Sequence, residues 1–158
     1  MPVQDERLAE KEVTEMADKK HTKNVVDYDK PPQDLPGHRL KVDPKFVKNI
    51  VHVGPDTVPN AEFYSEAKWI LPGSEEEIKE VGSHTHDFGE LIGCFGFNYD
   101  DIQDLGAEIE FTVDNKTYKI TKSFASFVPA GVQHGPLIIR NVKRPIFHFI
   151  AADTDKYE

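Results

Sequence analysis

The side chains most able to do chemistry in this sequence are His84, His86, Glu90 and His134. His84 and His86 stand two apart, so in an extended segment both imidazoles project from the same face. Asp87, Phe88 and Gly89 can then turn the chain, and Glu90 opens the next segment with its carboxylate returned towards the two rings. Far downstream, Pro129 and Gly131 supply a rigid turn that aims His134 back at the first three. Three neutral imidazoles and a carboxylate suit one borderline divalent transition-metal ion, such as Fe, Mn, Ni, Zn, Co or Cu. Ca and Mg prefer shells made wholly of oxygen.

Such a site needs elements that bring two remote stretches together. From Leu40 onward the sequence is a series of short runs rich in Val, Ile, Phe and Tyr, separated by Gly, Pro, Asn and Asp. Strands are expected over residues 49–53, 62–71, 81–86, 90–97, 107–113, 117–121, 126–128, 136–140 and 145–151. Ala107, Ile109, Phe111 and Val113 alternate with Glu108, Glu110 and Thr112, the period-two pattern of a strand with one wet face. Asp114 and Asn115 make a tight turn into Lys116, Tyr118 and Ile120, which gives a hairpin. The expected class is all-β.

Residues 1–37 read as an arm rather than as part of the barrel. They are dense in Lys, Glu and Asp and end in Pro31, Pro32, Pro36 and Gly37, which break regular structure. A helix over residues 5–20 has too thin an apolar stripe to bury strongly, so the arm is expected to be solvated or stabilised by a partner. The folded domain then spans residues 38–158.

Other residues stand near the expected site. Strand alternation puts Ile92 and Cys94 on the inward face with Glu90, where Cys94 either lines the pocket or fills the core. His148 alternates with Ile146 and Ile150, as a pocket residue that binds substrate or moves a proton, or as a hydrogen-bonded core residue. Glu90, His148 and Cys94 are thus candidates for catalysis, with no role fixed. Tyr64, Trp69, Phe95, Phe97, Tyr118, Phe124 and Phe127 are expected mostly in the core, with some walling the cavity. Phe147 and Phe149 leave the last strand apolar on both faces, which favours a homodimer. Residues 75–77, all Glu, read as a solvated loop or short helix, and 98–106 as a polar loop without calcium-binding spacing.

Gly82, His84, His86, Glu90 and Gly96, followed by Pro129, Gly131 and His134, resemble the two signature motifs of the cupin superfamily. The resemblance covers roughly residues 50 to 152. It differs at Ile78, Ser123 and Ile138, where the family pattern has Gly, Gly and Asn, and Gly96 arrives one residue early. The resemblance implies a double-stranded β-helix, or jelly-roll barrel, with His84, His86, Glu90 and His134 as metal ligands. It also implies open coordination positions where a small oxygen-bearing substrate or dioxygen meets the ion, which leans towards an enzyme of the oxygenase, isomerase, decarboxylase or lyase type. Glu90 then completes the metal shell or swings away as a base, while Cys94 and His148 tune the surroundings. The alternative from another class is a non-catalytic small-molecule-binding or sensory module. Fold does not choose between them.

Charge and composition narrow the partners. The 158 residues carry a formal net charge of -9, against the Lys/Arg surplus that phosphate backbones require, so nucleic acid is not an expected partner. A lone cysteine excludes an internal disulfide, and with no recognisable leader the expected location is a reducing cytoplasm. No apolar run approaches the ~20 residues needed to span a bilayer, so no membrane residence is expected.

Overall fold

The computed structural model describes residues 24–158. The helix considered over residues 5–20, and most of the arm, lie outside the described residues. Among the described residues no helix is long and apolar enough to cross a membrane. Residues 24–37 contain bends and turns but no strand. They reach the rest of the chain through Lys30, whose Nζ lies 3.2 Å from Asp56 Oδ2, and through Asp29, which accepts a 2.6 Å hydrogen bond from Asn49 Nδ2.

Nine strands follow in chain order: β1 Val47–Val53, β2 Tyr64–Ile70, β3 Ile78–Val81, β4 Glu90–Phe95, β5 Asp104–Val113, β6 Lys116–Lys122, β7 Phe124–Val128, β8 His134–Arg140 and β9 Ile146–Ala152. They form two antiparallel sheets, ordered β1-β2-β9-β4-β7 and β3-β8-β5-β6. Neighbours that are remote in sequence, such as β4 beside β9 and β5 beside β8, give the jelly-roll its crossovers. The alternation expected along β5 is present, with Ile109 and Phe111 buried and Glu108 exposed. Asp114 and Asn115 both have positive φ (49° and 62°), the turn geometry that matches the twist of a two-residue hairpin. The core between the sheets is mainly aliphatic, including Ile70, Leu105, Ile109, Val128, Ile139 and Ile146, with Phe111 as its largest fully buried side chain.

Two expectations about the strands are corrected. The segment 81–86 is not a strand: β3 runs from Ile78 and stops at Val81, after a register shift against β8. Beyond it only His84 rejoins the sheet, as an isolated bridge to His134. The aromatics expected in the core mostly lie outside it. Tyr64 is buried, whereas Phe97, Tyr118 and Phe127 are exposed and Trp69, Phe95 and Phe124 are half-buried. Strand alternation gives the inward positions to their neighbours, Lys68 and Ile70 on β2 and Ile92 and Cys94 on β4, and turns Trp69 and Phe95 outward.

The inner face also carries charge. Glu66 and Lys68 on β2, Glu80 on β3 and His148 on β9 are all buried. Glu66 accepts hydrogen bonds from Arg39 Nη2 and Tyr64 Oη, each at 2.6 Å, and Lys68 Nζ lies 3.1 Å from its Oε2. Burial alone would raise the Glu66 carboxyl, but the charges of Lys68 and Arg39 and the hydrogen bonds from Arg39 and Tyr64 outweigh it and hold it at about 2, down from 4.5. A carboxyl depressed in the folded state stabilises the fold above its unfolded value and loses that contribution as pH falls through the folded one. Denaturant melts should therefore show unfolding free energy dropping by about 3 kcal/mol through this group between pH 4.5 and 2. A flat profile across that window would show that the Glu66 cluster contributes nothing to acid sensitivity.

Candidate metal centre

Backbone hydrogen bonds join the two remote stretches before any side chain is considered. His84 N–H donates to His134 C=O at 2.9 Å, and His134 N–H returns to His84 C=O at 3.0 Å. The turn after Pro129 adds a 2.8 Å bond from Gly131 N–H to His86 C=O, with Gly131 at φ +79°. His134 thus opens β8 rather than ending a turn, and His84 sits directly opposite it. His86 lies outside any strand, between that bridge and Glu90 at the start of β4. The shared strand face expected for His84 and His86 is replaced by a bridge and a short loop that bring the same rings together.

Each ring is oriented by its own backbone. Nδ1 of His84 lies 2.8 Å from Gly82 O, that of His86 2.8 Å from Phe88 O, and that of His134 2.8 Å from Val132 O. A carbonyl oxygen only accepts, so each Nδ1 carries the hydrogen and each neutral ring keeps a lone pair on Nε2. Nε2 of His86 and of His134 lie 3.2 and 3.1 Å from the same oxygen, Glu90 Oε2, and Nε2 of His84 is buried without a hydrogen-bond partner. One ligand atom from each of the four residues lies within 4.8 Å of the others. Either a proton on Nε2, which then donates to Glu90 Oε2, or a shared cation relieves this convergence of lone pairs, and the donor set can hold a divalent transition-metal ion.

The electrostatics follow from this crowding. Burial would raise the Glu90 carboxyl, yet hydrogen bonds and charge from His134 and His86 hold it at about 2. Burial pulls His86 down, but its hydrogen bond with Glu90 and the Glu90 charge leave it above the ordinary histidine value. His84 is lowered, chiefly by burial.

Several neighbours of the site were not legible in the sequence. His38, assigned there to the first residue after the arm, stacks on His84 with ring centroids 3.6 Å apart. Burial first, then His84 and Arg39, lowers it to about 4. Phe88 stacks on His86 at 3.9 Å. Tyr157, next to the last residue, is buried beside His86, Phe88 and the Arg39 guanidinium. Burial, then Glu90, raises its phenol well above the usual tyrosine range. No local pattern announces His38 or Tyr157, which reach the site only through the fold.

A cavity of about 20 Å³ lies against the cluster, lined by His84, Glu90 and His134 together with Glu80, Ile92, Phe111, His148 and Tyr157. Of the secondary candidates, His148 therefore lines the cavity. Cys94 is fully buried in the aliphatic core, where burial pushes its thiol up, and is not among the lining residues. Tyr157 also lines a separate outer pocket of about 220 Å³, with Asp34, His52, Asp56 and Tyr64. Its ring is thus shared by the two spaces.

No family model matches the chain, and no curated protein matches it in sequence. Among solved structures, oxalate oxidase bound to the substrate analogue glycolate is similar at a TM-score of 0.48 and 10% identity, over 83% of this chain and 61% of that one. The chain therefore spans about three fifths of the length of that protein. The cupin domain of Cnp3 from Schizosaccharomyces pombe is similar at 0.43 and 17% identity, over 69% and 61% of the two chains. KdgF from Halomonas sp. is similar at 0.41 and 12%, over 78% and 94%. By the strand order of its two antiparallel sheets this chain is an all-β jelly-roll, within which the His84 and His134 stretches face each other.

Proposed function

We propose that His84, His86, Glu90 and His134 hold one divalent transition-metal ion, and that the protein is a metal-dependent enzyme acting on a small oxygen-bearing organic substrate. The reaction is of the oxygenase, isomerase, decarboxylase or lyase type. The supporting observation is the convergence of four ligand atoms within 4.8 Å while every Nδ1 is committed to a backbone carbonyl. A bound ion would supply Lewis-acid or redox polarisation of a substrate oxygen. The chain's own groups fix the three rings, exclude water with Phe88 and Tyr157, and offer Glu90 as ligand or base. Elemental analysis of protein purified without added metal should find close to one such ion per chain. Only traces, or only Ca and Mg, would overturn the reading. A redox ion with substrate-dependent oxygen uptake would select the oxygenase branch.

The second reading is a binding or sensory module whose metal only orients a ligand, and the small size of the inner cavity favours it. Access decides between the two. Because the Tyr157 ring is shared by the inner cavity and the outer pocket, Tyr157→Ala should merge them and speed removal of the ion by a chelator at least about tenfold, equivalent to ~1.4 kcal/mol of opening free energy. An unchanged rate would indicate that the ion is reached from elsewhere or is sealed in, and would favour the module.

The homodimer expected from Phe147 and Phe149 remains a proposal. On the outer face of the five-stranded sheet, Phe147 contacts Trp69, Phe95 and Phe149 with ring centroids 5.9–6.2 Å apart, and Leu91 and the 66% exposed Phe127 pair beside them. Sedimentation should give a dimer that Phe147→Lys converts to monomer. A monomer for the unchanged chain would end this proposal.

A further inference from the structure

The cavity beside the imidazole cluster has polar walls that the ligand set does not use. Glu80 and His148, 3% and 2% exposed, line it together with His84, Glu90 and His134. His148 Nδ1 lies 3.1 Å from Glu80 Oε2, off the line of a well-formed hydrogen bond. Glu80 Oε1 and His148 Nε2 are buried with no hydrogen-bond partner. Polar atoms are rarely left so in a core, and apolar filling was open to this one, since Ile92 and Ile150 line the same cavity.

The charges around the pair explain what His148 is free to do. Lys68 Nζ lies 3.7 Å from Glu80 Oε2 and 3.1 Å from Glu66 Oε2, and Arg39 pairs with Glu66 at 2.6 Å. Two cations thus face two carboxylates, and the cluster balances without a charge on His148. The titratable groups facing His148 are Glu80 from β3, the register partners of His148 on the flanking strands, Lys68 on β2 and Cys94 on β4, and Glu90 and Tyr157 around the cavity. With Nδ1 beside the Glu80 carboxylate, Nε2 is the nitrogen left to exchange a proton.

We propose that His148 and Glu80 are a proton-accepting pair for the molecule bound at the cluster, and that this molecule presents an acidic O–H or N–H hydrogen. This rests on the metal reading above and deepens it. In the oxygen case the O–H bond breaks, the proton forms a bond to His148 Nε2, and the electron pair stays on the ligand oxygen. The Glu80 carboxylate then offsets the imidazolium charge.

The test uses the full chain loaded with Zn²⁺, its stoichiometry fixed first by elemental analysis, and acetohydroxamic acid as the probe. That probe binds transition ions through oxygen and carries an acidic hydrogen. Calorimetry in buffers of differing ionisation enthalpy counts the protons passed to solvent. The unchanged chain and Tyr157→Ala, whose enlarged cavity removes any steric bar, should release well under about half a proton per probe. His148→Gln should release about one and bind about tenfold more weakly. ¹⁵N spectra of the histidine-labelled, unmutated protein give a second measurement that needs no variant: the probe should move His148 Nε2 from the range of a bare ring nitrogen to that of a protonated one. Equal proton release in all three proteins, an unmoved Nε2, or no binding even to Tyr157→Ala would overturn the pair. Failure of Zn²⁺ to load would overturn the pair and the metal reading together, and the elemental analysis identifies that outcome separately.

Discussion

His134→Ala is expected to weaken Zn²⁺ binding by more than about a hundredfold while leaving a folded barrel. Loss of groups that merely orient a metal-binding imidazole costs about 10- to 100-fold, and here a ligand itself is removed. His134 is 1% exposed, its Nε2 meets Glu90 Oε2 at 3.1 Å, and its backbone makes both bonds of the bridge to His84, which alanine keeps. Competition with a chromophoric chelator, alongside circular dichroism, separates lost affinity from lost structure. Full metal content in the variant would remove His134 from the ligand set. The same replacement at Cys94, which the structure places in the core, should leave metal content unchanged.

Gly135→Ala is expected to destabilise the protein by about 4 kcal/mol and to lower metal affinity with it. Gly135 has φ +84°, a conformation that costs a residue with a side chain roughly 1–3 kcal/mol. A Cβ there would also stand 2.4 Å from Gly82 O, the carbonyl that accepts the hydrogen bond of His84 Nδ1. The clash falls on backbone, so it cannot be relieved by rotating a side chain. Gly131→Ala is the control, because Gly131 shares the positive φ but has nothing within 4 Å of an added Cβ. Its cost should be the backbone strain alone. Equal melting temperatures for the two variants would show that close approach to the Gly82 carbonyl is unimportant.

Gly135 also shows how far the sequence could be read. The glycine of the second stretch that attracts notice is Gly131, in the turn before His134; the tighter contact is at Gly135, and nothing around it announces Gly82 as its neighbour. Gly96, by contrast, stands out by resemblance, and the structure gives its reason. An added Cβ would lie 2.3 Å from Asp104 O, where the chain leaving β4 passes the start of β5. Strand positions were legible where alternation was strong, as in β5 and β9. The extent of β3 was not, because the spacing of His84 and His86 suggested an extended pair, whereas Gly82 to His86 forms a ladder bridge only at His84.

What the sequence determined by itself was the set of groups able to bind a metal and the all-β framework. Both follow from residue type and short-range spacing: two histidines and a glutamate within seven residues, and period-two alternation beyond them. Tertiary structure alone decided what surrounds that set. It placed His38 from the edge of the arm on His84, Tyr157 from the chain end against the cavity, and Glu80 beside His148 across two sheets. The physical reason is that local propensity acts over a few residues, whereas a closed barrel brings together side chains tens of residues apart, selected by packing and charge rather than by their position in the chain.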